Sequence, residues 1–108
     1  MIDHAGQMLF LMIAGHAFAD FGLQDAYQSQ AKRADFNPSG WFHALLCHSL
    51  IHGGIVALVT GQWMIGVAET VAHAMIDYGK GRKWYGTTAD QTMHIGYKII
   101  WMIIAISA

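Results

Sequence analysis

Four pairs of ionisable side chains, each spaced four residues apart, recur inside long apolar runs. They are His16 with Asp20, His48 with His52, His73 with Asp77, and Asp90 with His94. On an α-helix four residues turn through about 400°, so the members of a pair share one face, about 40° apart. A buried imidazole or carboxylate is costly unless it meets a partner. Whatever fold buries these runs must bring the pairs together.

The apolar segments lie at about 7–25, 40–60, 62–79 and 89–108, interrupted mainly by His, Gly, Ser, Thr and Gln. Hydrophobic residues make up 55% of the chain and charged residues 12%, about half the usual charged share. The run over 99–108 is almost wholly apolar and has no polar face to offer water, which a soluble helix of this length normally shows. These features predict an all-α fold, an integral-membrane antiparallel four-helix bundle, with residues 1–108 as one transmembrane domain. Residues 26–34 are expected to form a short interfacial helix. The first segment lacks a basic start and carries Asp20, which argues against a cleaved signal peptide. Gly61-Gln62 reads as a tight turn and Gly79-Lys80-Gly81 as a helix stop. Thr88-Ala89-Asp90-Gln91 has the form of a capping box, with Gln91 reaching back to Thr88. The single cysteine, Cys47, excludes an internal disulfide, and its apolar surroundings predict a buried, inert thiol.

Five of the six Lys and Arg residues fall in two connections: Lys32 and Arg33 in loop 26–39, and Lys80, Arg82 and Lys83 in loop 79–88. The positive-inside rule makes both loops cytoplasmic and both termini external, in a bacterial inner membrane. Each pair then falls in the cytoplasmic half of its helix, so four helices deliver eight candidate ligands to one level. Trp41, Trp84 and Tyr85 on one side and Trp63 on the other suit the bilayer interfaces.

Imidazole with carboxylate and no thiolate suits zinc, iron, manganese or nickel. Zinc is the foremost candidate, as one or two ions, because eight ligands exceed one tetrahedral shell. His16, Asp20, His48, His52, His73, Asp77, Asp90 and His94 are the predicted metal set, some acting through hydrogen bonds to the ligands. An ion with an open position activates water, so the leading functional expectation is a metal-dependent hydrolase. Its catalytic carboxylates would be Asp20 and Glu69. Glu69 and Lys98 also fall at one depth on neighbouring antiparallel helices, and a salt bridge is the simpler reading of that pair. Gln24, Lys80 and Gln91 border the open side and are candidate substrate contacts, for a lipid or anionic small molecule at the cytoplasmic interface. His43 and His4 lie off the site and read as ordinary solvated or packed residues. A net charge of −1 offers no electrostatic footprint for nucleic acid. The alternatives are a metal-ion transporter or sensor, and a non-enzymatic phage membrane effector with a structural metal site. Haem fits the paired aspartates poorly. An oligomer is compatible with the composition.

The motifs His16-Ala-Phe-Ala-Asp20-Phe-Gly-Leu-Gln24, His48-Ser-Leu-Ile-His52-Gly53, His73-Ala-Met-Ile-Asp77-Tyr-Gly-Lys80 and Asp90-Gln91-Thr-Met-His94 resemble a family of small bacterial and phage four-helix membrane proteins of unknown function. The chain is also distantly similar to inner-membrane proteins described as metal-dependent hydrolases. The resemblance implies a shared polar site at the four motifs, and a bacterial or phage membrane setting.

Overall fold

The computed structural model of the chain describes residues 2–24 and 26–107. Asp25 and Ala108, the expected ends of the first and fourth long helices, lie outside the described residues. Within them the protein is helical without strands: α1 (Ile2–Ala17), continued by a π-helical segment (Phe18–Leu23), α2 (Ala26–Ala31), α3 (Trp41–Thr60), α4 (Trp63–Gly81) and α5 (Thr87–Ser107). Helix α1 begins well before the expected residue 7, since residues 2–6 contain no proline to stop it. Helix α2 is shorter than the expected 26–34, and the Asn37 side chain donates to Ala31 O, capping its end.

Two helix ends are set by left-handed residues. Gly61, with φ 71°, closes α3 and donates its N–H to Ala57 O at 2.9 Å, giving the expected tight turn into α4. Helix α4 runs through the predicted stop and ends in a Schellman motif. Trp84 N–H reaches Gly79 O at 3.0 Å and Lys83 N–H reaches Lys80 O at 2.9 Å. The left-handed position of that motif, usually glycine, is occupied by Lys83 at φ 63°. Gly79 is needed for another reason, because a Cβ there would stand 2.5 Å from Tyr85 Oη. Tyr85 folds over it and donates to Ile76 O. Burial pushes the Tyr85 phenol above its ordinary value, so it remains a donor.

The predicted capping box does not form. Helix α5 begins at Thr87, Thr88 lies inside it, and the Gln91 side chain points into the bundle. A buried carboxylate and imidazole are stronger partners for that amide than a solvent-facing backbone group.

The four long helices pack in a ring, with α1 and α4 each lying against both α3 and α5, while α2 rests on α3. The closest approach is α3 on α4. A Cβ at Gly53 would stand 1.9 Å from Thr70 Oγ1 and 2.6 Å from Gly66 O. Gly54 faces open space, so only the first glycine of the pair serves the packing.

The interior divides along its length. Towards the Gly61 turn it is apolar: Met8, Met12, Val56, Ile65, Ala72 and Trp101 form one buried cluster. Towards the other end it holds His16, His48, His52, His73, Asp90 and His94, with Glu69 and Lys98 also buried. The outside is the reverse: Phe10, Phe18, Phe21, Leu58, Trp63, Met64, Met75 and Ile103 are more than half exposed. Cys47 also lies outside, which corrects the expectation of a buried thiol. The inward positions of α3 are Leu45, His48, Ser49, His52, Gly53 and Val56, and residue 47 falls opposite them. By length and composition α3 is the one helix among the described residues long and apolar enough to cross a membrane, with mean hydropathy 1.7.

Candidate metal centre

All eight predicted His and Asp residues converge in the polar half of the bundle. The π-helical segment sets Asp20 at the centre. Its wider turn leaves Phe18 and Phe21 outside while the carboxylate reaches across to α3. Such segments recur at functional sites. Asp20 Oδ1 receives His48 Nε2 at 3.1 Å and His52 Nε2 at 3.0 Å. Asp20 Oδ2 receives Gln91 Nε2 at 3.2 Å and lies 3.3 Å from His16 Nε2. Gln91 also accepts from His16 Nε2 at 2.9 Å and donates to Asp90 Oδ2 at 3.0 Å. Gln91 therefore joins the site's inner network while also bordering the opening with Gln24 and Lys80, as expected.

Asp77 gathers the other wall. Its Oδ1 lies 3.1 Å from His94 Nε2, and its Oδ2 lies 3.3 Å from His73 Nε2 and 3.5 Å from His48 Nε2. Asp90 Oδ1 lies 3.4 Å from His94 Nε2. The rings interleave, with His52 stacked on His73 at 3.7 Å and His94 tilted against His73 at 4.1 Å between centroids.

His73 reports most directly on what the centre is built for. Its Nδ1 donates to Glu69 Oε2 at 3.1 Å, which leaves a lone pair on Nε2 in the neutral ring. That Nε2 is buried and has no hydrogen-bond partner among the described residues. It lies 3.3 Å from the Asp77 carboxylate, and a lone pair facing a carboxylate oxygen is repulsive unless a proton or a metal ion lies between them. A carboxylate holding one nitrogen of a histidine while the other nitrogen meets a metal is a recurrent arrangement. The donor set fits a divalent ion. Three overlapping groups each bring their ligand atoms within 4.8 Å of one another: Asp20, His48, His52 and His73; His16, His73 and His94; Asp77, Asp90 and His94. Any of them could hold a metal ion, and sharing of His73 and His94 couples the three positions.

Glu69 is fully engaged. Besides His73 it accepts Lys98 Nζ at 2.9 Å and Trp101 Nε1 at 2.7 Å. The simpler expectation, a Glu69–Lys98 salt bridge, describes this contact. With both oxygens occupied and its side chain buried away from the opening, Glu69 orients His73 and has no access to a substrate proton. The sequence signal for Trp101 is its spacing alone: it lies seven residues after His94 and so on the same helix face.

The open side is a cavity of about 180 Å³ between the loops, lined by Asp20, Gln24, Ser29, Gln30, Lys32, Arg33, Asp77, Lys80, Gly81, Lys83 and Asp90. Gln24 and Lys80 border it as expected, with Lys80 Nζ 4.0 Å from Asp90 Oδ2. Lys32 goes further than a topological role: its ammonium donates to Asp77 Oδ2 at 2.8 Å. No local pattern signals this, because residue 32 lies in an irregular loop 45 positions before its partner. Arg33 instead pairs with Asp35 at 2.6 Å, and that hydrogen bond holds the Asp35 carboxyl below its ordinary value. His43 and His4 are exposed and take no part.

Comparison with known proteins places the chain in a family. Residues 8–108 match the model of the family described as protein of unknown function (DUF3307), so the chain belongs to that family. The match spans all four paired motifs. No curated protein and no solved structure matches the chain.

Proposed function

We propose that the chain is an intramembrane metal-dependent hydrolase, its His/Asp centre opening to the cytoplasmic face through the cavity at Lys32, Lys80 and Lys83. The observation that carries this reading is the unpartnered Nε2 of His73 among seven further nitrogen and oxygen ligands on four helices. Zinc, as one or two ions, suits the ligand set. When bound, it supplies Lewis acidity and activation of water for attack on an acyl or phosphoryl centre. Glu69 fixes the tautomer and orientation of His73. Asp20 lines the cavity, and as proton acceptor for the attacking water it would exchange its Oδ2 contact with Gln91 for that water. Gln24 and Lys80 contact the anionic substrate at the opening.

The inverted polarity supports a bilayer setting. Large apolar side chains face outward on all four long helices while charged groups lie inside, and the long axis of 46 Å suits a bilayer of about 40–45 Å including headgroups. Charge on both loops supports external termini. A transporter needs a polar route past Met8, Met12, Val56 and Trp101, and that half of the bundle is closed and apolar.

The test is elemental analysis of the purified full chain, with His73→Ala and His16→Ala, followed by a panel of lipid and nucleotide esters. One or two divalent ions per chain, lost in His73→Ala, and ester hydrolysis confined to metal-loaded protein are expected. Identical behaviour of stripped and loaded protein refutes the enzymatic reading. Absence of bound metal refutes the centre itself. In membranes, Cys47 should resist a water-soluble maleimide and react after detergent extraction; equal labelling in both states refutes the bilayer setting.

A further inference from the structure

The cavity above the metal ligands has a charge pattern that a hydrolytic site does not by itself require. We propose that it is a phosphoryl-binding subsite, in which Lys32, Lys80 and Lys83 hold the phosphate of the substrate. The proposal rests on the reading of the centre as a divalent-metal site and names the class of ligand brought to it.

Charge balance is the first argument. The cavity walls carry three carboxylates, Asp20, Asp77 and Asp90, and three ammonium groups, Lys32, Lys80 and Lys83. Arg33 is spoken for by Asp35, and Glu69 by Lys98. With the imidazoles neutral as metal ligands, even the smaller loading of one divalent ion leaves an excess of two positive charges. A phosphomonoester dianion matches that excess, whereas a carboxylate leaves half of it unbalanced.

Lys32 supplies the second argument. Without an ion its ammonium is the counter-charge of Asp77, at 2.8 Å from an oxygen that also belongs to a candidate ligand group. A divalent ion bound to that carboxylate repels the ammonium at close range. The displaced Nζ has the cavity to turn into, since Lys32 already lines it. Metal binding thus makes a third anion-binding group available over the ion.

Lys83 supplies the third. It holds the left-handed position of the α4 Schellman motif at φ 63°, where glycine is the unstrained choice. The chain has glycines at 81 and 86 and not at 83. Backbone strain retained at a residue whose side chain lines a cavity points to a role for that side chain.

The test uses the full chain in detergent, zinc-loaded and zinc-free, titrated calorimetrically with inorganic phosphate, phosphatidic acid in mixed micelles, and acetate. Phosphate is expected to bind the zinc-loaded form about tenfold or more tighter than the zinc-free form, and tighter than acetate binds. Lys80→Ala and Lys83→Ala each weaken phosphate about tenfold while zinc content stays unchanged. Lys83→Gly gives the sharpest result: it raises the melting temperature by removing the strained backbone, yet loses phosphate affinity as Lys83→Ala does. Tighter binding of phosphatidic acid than of phosphate assigns a lipid source, and equal binding a soluble ester; both support the subsite. Wild-type phosphate affinity in the three Lys variants, or acetate binding as tightly as phosphate, overturns it even if zinc is bound. A chain that takes up no zinc overturns the metal reading beneath it, and the two failures are told apart by the zinc content alone.

Discussion

Glu69 joins two interactions that can be separated by substitution. Its Oε2 accepts both His73 Nδ1 and Lys98 Nζ, and its Oε1 accepts Trp101 Nε1. Glu69→Gln removes the charge while keeping the shape. Loss of a carboxylate that orients a metal-binding histidine weakens metal binding about 10–100-fold, or about 1.4–2.7 kcal/mol. The same change leaves the Lys98 ammonium buried without its counter-charge, which costs about 3–5 kcal/mol. Lys98→Met removes that ammonium and keeps much of the side-chain volume. The double variant Glu69→Gln/Lys98→Met should therefore recover most of the lost stability and none of the lost metal affinity. Thermal unfolding in detergent reads the first quantity, and chelator competition reads the second. Recovery of both together would refute the reasoning, because Glu69 would then matter only as the partner of Lys98.

Two further outcomes follow from the geometry. Gly53→Ala drives a methyl to 1.9 Å from Thr70 Oγ1 and 2.6 Å from Gly66 O, so α3 and α4 must part, at about 1–3 kcal/mol; Gly54→Ala meets nothing within 4 Å and should stabilise by about 1 kcal/mol as a better helix former. Equal melting temperatures for the two variants would contradict the packing described. Metal binding should weaken as pH falls, because the ion competes with protons for the same nitrogen lone pairs. The sign is checked by proton release when zinc is added to weakly buffered protein, and zinc binding without any pH dependence would exclude histidine ligation.

The legible part of this molecule was its periodicity. Spacing of four put His16 and Asp20, His73 and Asp77, and their counterparts on shared faces, and the alternating chain direction brought Glu69 level with Lys98. Gly61 was legible as a turn because few residues other than glycine accept a positive φ there. Contacts set by distance in space were not legible. Gln91 sits in a capping-box pattern, but the buried Asp20 and His16 claim its amide. Lys32 reaches Asp77 from an irregular loop, and no local signal marks the π-helical turn around Asp20. Cys47 was misplaced because α3 is apolar on both faces, so hydropathy alone does not say which face is inside. His48 and His52 mark the inner face, and position 47 lies off it.

The division of the interior into a polar and an apolar half also has an electrical meaning. In a bilayer the potential drops mainly across material that excludes water, and here that is the half packed with Met8, Met12, Val56 and Trp101. The ligands lie near the opposite end, behind an open cavity lined by charged groups. A full crossing is worth about 2.3 kcal/mol per charge per 100 mV, but an ion settling at this depth crosses only a small part of the field. On the proposed bilayer and metal reading, metal loading and the binding of an anionic substrate should therefore be nearly independent of membrane voltage.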